Sequence, residues 1–580
     1  MKNYTAERNI QILISLLKSN HIKKVVISPG TTNLCLVASL QYDSYFELYS
    51  SVDERSAAYI ACGLAAESGE AVALSCTGAT ASRNYLSGLT EAYYRKLPVL
   101  AITSAQPRGR IGQLIPQVLD RYSEPNDAVK FSVQVPIVKD AEDEWTCNLL
   151  INKAILELNH HGKGPVLINI ETKYNPDFSV QTLPETRVIK RLDRSSENFP
   201  DISDGKICVF IGSHTRFSTE LTDSIDKFCE LYNAIVIGDN TSNYKGEYFI
   251  NANVICSQDQ YRSICCDYDL MIHIGEISGA YLDLNPEEVW RVNVDGEIRD
   301  TYRKLSNVFE MREEDFFGIY NKRKRNSDNL SFYRNALEEK ERIESKIQEL
   351  PFSNPWMAKE IISRLPSDSV IHLAILNSLR SWNFHTLPYD VYCYSNVGGF
   401  GIDGCMSSAI GASLVNKDKL FFLVIGDLSF FYDINSLGNR YCGNNLRILL
   451  VNNGRGTEFR NYFHPGSKFG DEADEYIAAA GHFGKQSRVL VKEYVQNLGF
   501  TYLSASSKEE FLDNVEKFTD ENIGDKSIVF EVFTLTDDEN DALKKIRNAE
   551  TNAIGNTKNI IKGVLGNKNV EAIKKVIRHR

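Results

Sequence analysis

Residues 420–456, LFFLVIGDLSFFYDINSLGNRYCGNNLRILLVNNGRG, decide the fold. Residues 420–425 and 446–451 are apolar runs, the second broken only by Arg447, the pattern of strands buried on both faces of a parallel sheet, and the stretch between them is long enough for a helical crossover. Each run ends in oxygen-bearing side chains, Gly426-Asp427 after the first and Asn452-Asn453-Gly454 after the second. One carboxylate and one carboxamide therefore emerge at the carboxyl ends of neighbouring strands, where open α/β sheets bind ligands. Magnesium takes few protein oxygens and completes its octahedron with water and phosphate oxygens, so Asp427, Asn453 and the backbone carbonyl of Arg455 form a candidate set for clamping a diphosphate. Two ordinary strand-end turns are the alternative.

Outward from this stretch the same grammar repeats. Residues 370–376 and 392–395 read as strands, leading into Asn377-Ser378-Leu379-Arg380 and into 396–404, NVGGFGIDG. Near the start, residues 24–27, 46–50, 71–75, 97–103 and 164–170 are strand runs. Between them stand Ser28-Pro29-Gly30, Asp53-Glu54-Arg55 opening a small-residue helix at 56–66, and the turn Cys76-Thr77-Gly78-Ala79-Thr80. Acidic residues at a helix start favour its dipole, which alone accounts for Asp53 and Glu54. Residues 171–198 read as a linker, and 207–211, 234–237, 270–274 and 289–294 as strands of a central region. There Ile211-Gly212-Ser213-His214 lacks the remaining glycines of a dinucleotide fingerprint, which points to a structural role. The expectation is an α/β chain of three doubly wound domains with mainly parallel sheets, at 1–175, 199–345 and 351–540. A basic helical tail at 541–580 follows, with two amphipathic helices near 560–577.

The length of 580 residues suits about three domains, and 43% hydrophobic with 24% charged residues is a globular composition. A net charge of −11 argues against sequence-independent nucleic-acid binding, which needs a basic surface. No stretch approaches the roughly 18 apolar residues of a membrane span. Twelve cysteines, without the paired spacing of a zinc site or a disulfide framework, fit reduced thiols in a cytoplasmic protein.

Taken together, these motifs resemble the thiamine-diphosphate (ThDP) enzymes, whose diphosphate and magnesium motif begins Gly-Asp-Gly and closes with Asn-Asn. Leu428 in place of the third-position glycine, Ser429 after it, and the Asn377 and Asn396 stretches are similar to the branch of 2-succinyl-5-enolpyruvyl-6-hydroxy-3-cyclohexene-1-carboxylate (SEPHCHC) synthases of the menaquinone pathway. The resemblance implies a pyrimidine-binding, a central and a diphosphate-binding domain. It implies that Glu54 hydrogen-bonds the aminopyrimidine ring and that Ile402 supports the folded cofactor. Cofactor contacts would come from Thr77, Gly78, Asn377, Ser378, Gly426, Asp427, Leu428, Ser429 and Asn453, with Mg2+ on Asp427, Asn453 and the Arg455 carbonyl. Gln113 and Gln117 resemble the family's glutamine loop near the reacting carbon. Glu54, Gln117 and His464 are the catalytic candidates, and active sites assembled between subunits imply a homodimer or homotetramer.

Where that branch has substrate-binding arginines, this chain has Thr32, Trp382 and Val397, with Arg380 as a substitute near the second. A pocket without those cations disfavours a dicarboxylic donor. Arg455, Arg460, His464 and His482 are new candidates beside the cofactor, each equally readable as a surface or core residue. The expected reaction is decarboxylation of a small 2-oxo acid, such as pyruvate, with transfer of the acyl unit to an aldehyde or ketone, a keto sugar or secondary metabolite among them. The alternatives are the menaquinone-branch reaction in a remodelled pocket and a non-catalytic binding protein.

Overall fold

The apolar runs form strands, and the strands form three mainly parallel sheets with helices between them, an α/β fold. A computed structural model describes residues 3–280, 282–323, 330–482 and 487–551. The chain divides into two compact units, Met1–Ser195 with Gly296–Val308, and Ser196–Asp295 with Phe309–Arg580.

In the first unit, β1 (Lys24–Ile27), β2 (Glu47–Ser50), β3 (Val72–Thr77), β4 (Val99–Ala105), β5 (Phe131–Val135) and β6 (Val166–Glu171) lie in the order β2-β1-β3-β4-β6-β5, all parallel. Sequence reading misses β5 and the helix Ala141–Glu157 that follows it. Helix Glu54–Ser68 starts where Asp53 accepts the Ser56 N–H and stops at Gly69 with φ +69°, a left-handed cap that glycine adopts without strain. It packs closely on helix Thr80–Arg95, since a Cβ on Gly88 would stand 2.4 Å from that of Ala58. The stretch read as a linker holds a short strand, β7 (Lys190–Asp193). Asp300 anchors 296–308 to this unit, accepting from Trp145 Nε1 at 2.8 Å and Arg187 Nη2 at 2.6 Å.

The second unit contains β8 (Ile207–Ile211), β9 (Ala234–Gly238), β10 (Phe249–Asn251), β11 (Asp267–Ile274) and β12 (Asn285–Val292), parallel in the order β10-β9-β8-β11-β12. After β13 (Leu305–Glu310) comes the third sheet. Its strands β14 (Val370–Leu373), β15 (Tyr392–Tyr394), β16 (Phe421–Gly426), β17 (Leu446–Asn452), β18 (Thr501–Ala505) and β19 (Ile528–Phe533) run parallel in the order β15-β14-β16-β17-β19-β18. That order reproduces the first sheet strand for strand. Phe421, Leu423, Ile425, Leu446, Ile448 and Leu450 are all buried in its core, each contributing about 1.5–3 kcal/mol by burial.

Asp427 does not sit in a turn after β16 but opens the short helix Asp427–Tyr432 directly. Helix Thr536–Arg547 runs through the boundary drawn at 540/541, because Glu539, Ala542, Leu543 and Ile546 bury one face. The two amphipathic helices expected near 560–577 lie outside the described residues. Among the described residues, no helix is long and apolar enough to cross a membrane. All twelve cysteines are free thiols, and only Cys442 is not fully buried.

Candidate active site

In the third sheet the chain places β15 on one side of β14 and β16 on the other, so the loops leaving β14 and β16 diverge and open a crevice at their carboxyl ends. Leu376, immediately before Asn377, has φ +68°, a conformation costing a leucine about 1–3 kcal/mol and typical of functional loops. Asp427 enters the crevice from β16, 5% exposed, with one carboxylate oxygen accepting the Leu428 N–H at 3.0 Å. At the end of β17, Asn452 and the next residue, Asn453, behave oppositely. Asn452 is buried and donates to Glu531 at 2.7 Å, and Tyr502 donates to the same carboxylate at 2.8 Å. Burial pushes the Glu531 carboxyl up, against those two hydrogen bonds. The Asn453 Oδ1, by contrast, is buried with no hydrogen-bond partner.

Ser429 donates from Oγ to the Ile402 carbonyl at 2.6 Å, which fixes Ile402 to the helix that begins with Asp427. Asp433 caps helix Cys405–Ser413, accepting from Ser407 N and Oγ, both at 2.6 Å. Asn377 faces the segment beyond β17, its amide turned so that Nδ2 reaches Glu458 Oε2 at 2.8 Å and Oδ1 takes the Glu458 N–H at 2.9 Å. Arg380 forms an ion pair with that same buried Glu458. Arg380 is therefore held by a carboxylate of this chain. Trp382 is 1% exposed and donates from Nε1 to Asn354 at 3.0 Å. Val397 is buried as well.

His464 caps the turn Pro465–Glu472, its Nδ1 accepting the Gly466 N–H at 3.0 Å. Arg455 and Arg460 both donate to Asp474, at 2.7 Å and 2.5 Å. His482 is exposed.

At the carboxyl edge of the first sheet, Thr77 ends β3 and Gly78 follows it. A Cβ on Gly78 would lie 2.6 Å from the Ser104 carbonyl oxygen, so only glycine fits this approach of two strand ends. Thr32 donates to that carbonyl at 3.1 Å, a satisfied, buried role. Glu54 is half-buried in the single chain, and Asn84 Nδ2 donates to its carboxylate at 3.2 Å. Gln113 and Gln117 are exposed, and Gln117 has φ +63°. Sequence reasoning passed over Arg121, 4% exposed, which donates to Thr103 at 2.7 Å and whose pKa burial lowers to about 10.

Residues 9–123 match the family described as thiamine pyrophosphate enzyme, N-terminal TPP binding domain. The chain is 32% identical to the 2-succinyl-5-enolpyruvyl-6-hydroxy-3-cyclohexene-1-carboxylate synthase of Bacteroides fragilis, covering 92% of this chain and 97% of that one. It is 33% identical to the synthase of the same name from Phocaeicola vulgatus, covering 92% and 96%. This protein belongs to the thiamine pyrophosphate enzyme family. A more distant family relative, the Flavobacterium johnsoniae synthase of that name, is 26% identical over 92% of this chain and 97% of its own. Family membership fits the donor set, because a hard cation is the natural partner for a buried, unpaired amide oxygen beside a buried carboxylate.

Proposed function

We propose that the chain is a thiamine-diphosphate- and magnesium-dependent enzyme that decarboxylates a small 2-oxo acid, such as pyruvate, and joins the acyl unit to an aldehyde or ketone acceptor. The observation that carries this reading is the Asn453 Oδ1, buried and unpaired at the end of the strand next to that of Asp427. An acceptor left in that state costs about 1–3 kcal/mol unless a ligand meets it.

In this reading Asp427, Asn453 and the Arg455 carbonyl hold Mg2+, while Gly426, Leu428, Ser429, Asn377 and Ser378 surround the diphosphate. ThDP supplies, when bound, a nucleophilic carbon and an electron sink for the loss of CO2. Glu54 holds a proton between its carboxylate and the aminopyrimidine, steadied by Asn84. Thr77 and Gly78 give the cofactor close backbone approach, and Ile402, fixed by Ser429, offers it an apolar support. Gln117 and the Nε2 of His464 are assigned to the substrates. The domains are taken as pyrimidine-binding at 1–175, central at 199–345 and diphosphate-binding at 351–540, in a cytoplasmic homodimer or homotetramer.

Calorimetric titration with ThDP tests the cofactor assignment: binding with Mg2+ and none with chelator is expected, and equal affinity in both would overturn the metal set. CO2 release from pyruvate and from 2-oxoglutarate, each with an aldehyde panel, tests the donor. Thr32, Val397 and Trp382 offer no cation, so pyruvate should be preferred. The identity of 32–33% across nearly the whole chain favours a second reading, the activity named for the relatives. A clear preference for 2-oxoglutarate with isochorismate as acceptor would establish it instead.

A further inference from the structure

Outside the carboxyl ends of β17, β18 and β19 lies a cavity of about 640 Å³, lined among others by Asn453, Arg455, Arg460, Arg488, Ser506 and Thr534. Its size suits a small metabolite. Two of its guanidiniums are locked in place: Asp474 accepts from Arg455 Nη1 at 2.9 and 2.7 Å and from Arg460 Nη1 at 2.5 Å, and Asp471 accepts from Arg460 Nη2 at 3.0 Å. The Nε of Arg455 is nonetheless buried without a partner. Arg488 differs from both. It forms no ion pair among the described residues and lies 5.1 Å over the ring of Phe533, a contact that orients the fork, and its charge also acts on the buried Glu531 carboxyl, in the direction that lowers that group's pKa.

A second feature faces the same space. Helix Thr536–Arg547 starts at Leu535 without any side-chain cap, and Leu535, Thr536 and Asp537 line the cavity, so the first N–H groups of a twelve-residue helix stand at its wall. Asp471 and Asp537 line it too, and both are exposed to solvent, where their charge is screened. The cavity shares Asn453, Gly454 and Arg455 with the metal-binding loop, so a molecule anchored here reaches toward the cofactor from the side of β19.

We propose that this cavity receives an oxyanion of the acceptor substrate, a phosphate or a carboxylate, with Arg488 as its main partner. The proposal rests on the reading that Asn453 holds the metal. It narrows the acceptor to an anionic carbonyl compound, while the donor remains monocarboxylic. A planar, bidentate fork suits either oxyanion, and the stacked guanidinium has less side-chain freedom to lose on binding.

The test is calorimetric titration of the ThDP- and Mg2+-loaded enzyme, so that the diphosphate site is filled, with inorganic phosphate in one arm and succinate in the other. One of the two should bind saturably. Arg488→Gln should weaken it by roughly 10-fold or more, and Arg488→Lys by less, because the charge remains while the fork is lost. Phosphate binding alone assigns a phosphorylated acceptor, and succinate binding alone a carboxylic one. Neither anion binding below about 50 mM, or Arg488→Gln binding as wild type does, overturns the proposal. Thermal melting of both variants checks that the fold is kept, and Arg488 is exposed and outside the core. A failure of the cofactor reading shows separately, as absent ThDP binding, and the same anion titrations on the cofactor-free chain then still report on Arg488.

Discussion

The first and third sheets share one strand order, yet their carboxyl edges do different things. In the first, most polar groups pair with one another: the Asn33 Oδ1 accepts from Ser75 at 2.6 Å and Ser104 at 3.2 Å, Thr32 donates to the Ser104 carbonyl, and Arg121 donates to Thr103, while the Ser28 Oγ and the Arg121 Nε are buried without a partner among the described residues. In the third, Asn453 keeps a buried oxygen with no partner among the described residues, at the end of the strand next to that of Asp427. A shared topology therefore supplies the same crevice twice, and the side chains at the strand ends decide what each crevice holds. On the proposed reading the first edge presents a shape and one proton-holding acid, Glu54, while the third presents charge for a metal and a diphosphate.

Substitutions can break this contrast one edge at a time. The largest effect is expected from Glu54→Gln, which keeps the shape of the first edge but cannot hold the proton: turnover should fall by about 10²–10⁴-fold while ThDP affinity changes little, read by steady-state kinetics and calorimetry. Unchanged turnover would leave the first edge without a chemical role. Asp427→Ala removes a proposed metal ligand from the third edge, and ThDP affinity measured with Mg2+ present should drop by roughly 100-fold.

The third prediction concerns acidity close to the third edge. Glu539 is 6% exposed, and burial raises its pKa to about 7, against hydrogen bonds from Thr534 and the Asn354 N–H. Its folded pKa lies above the unfolded value of about 4.3, so its contribution to stability is complete below that value and is lost as pH rises through about 7. Glu539→Gln should therefore remove that loss and melt higher than wild type at pH 8, by up to about 2 kcal/mol of stability, with the difference shrinking toward pH 5. A constant offset between the two melting curves across that range would refute the titration. The smallest effect belongs to the first edge: Thr32→Ala deletes one buried hydrogen bond, worth about 1 kcal/mol by chemical denaturation, and should leave the KM for either 2-oxo acid unchanged.

Much of this was legible along the chain. The runs at 420–425 and 446–451 became β16 and β17 because a strand covered on both faces is apolar along most of its length, Arg447 being the one exception, a property that needs no tertiary information. Asp427 and Asn453 were legible for the same reason, since a polar residue directly after such a run has to stand at the strand end. The strand Phe131–Val135 was not, because its FSVQV alternates as an edge strand does and carries too few apolar residues to stand out.

The sequence by itself determined the α/β alternation, the resemblance to ThDP enzymes and the oxygen ligands at the strand ends, all of them properties of neighbouring residues. Only the tertiary structure decided how the charges pair. Arg380 meets a carboxylate 78 residues away, Arg455 and Arg460 converge on Asp474, and Arg488 lies over Phe533 with no ion pair among the described residues. It also decided that Asn452 bonds Glu531, 79 residues on, while Asn453 keeps its oxygen unpaired. Local pattern is set by period and burial, whereas the partner of a polar group depends on which distant strands the chain brings alongside it, and that is fixed only when the sheet closes.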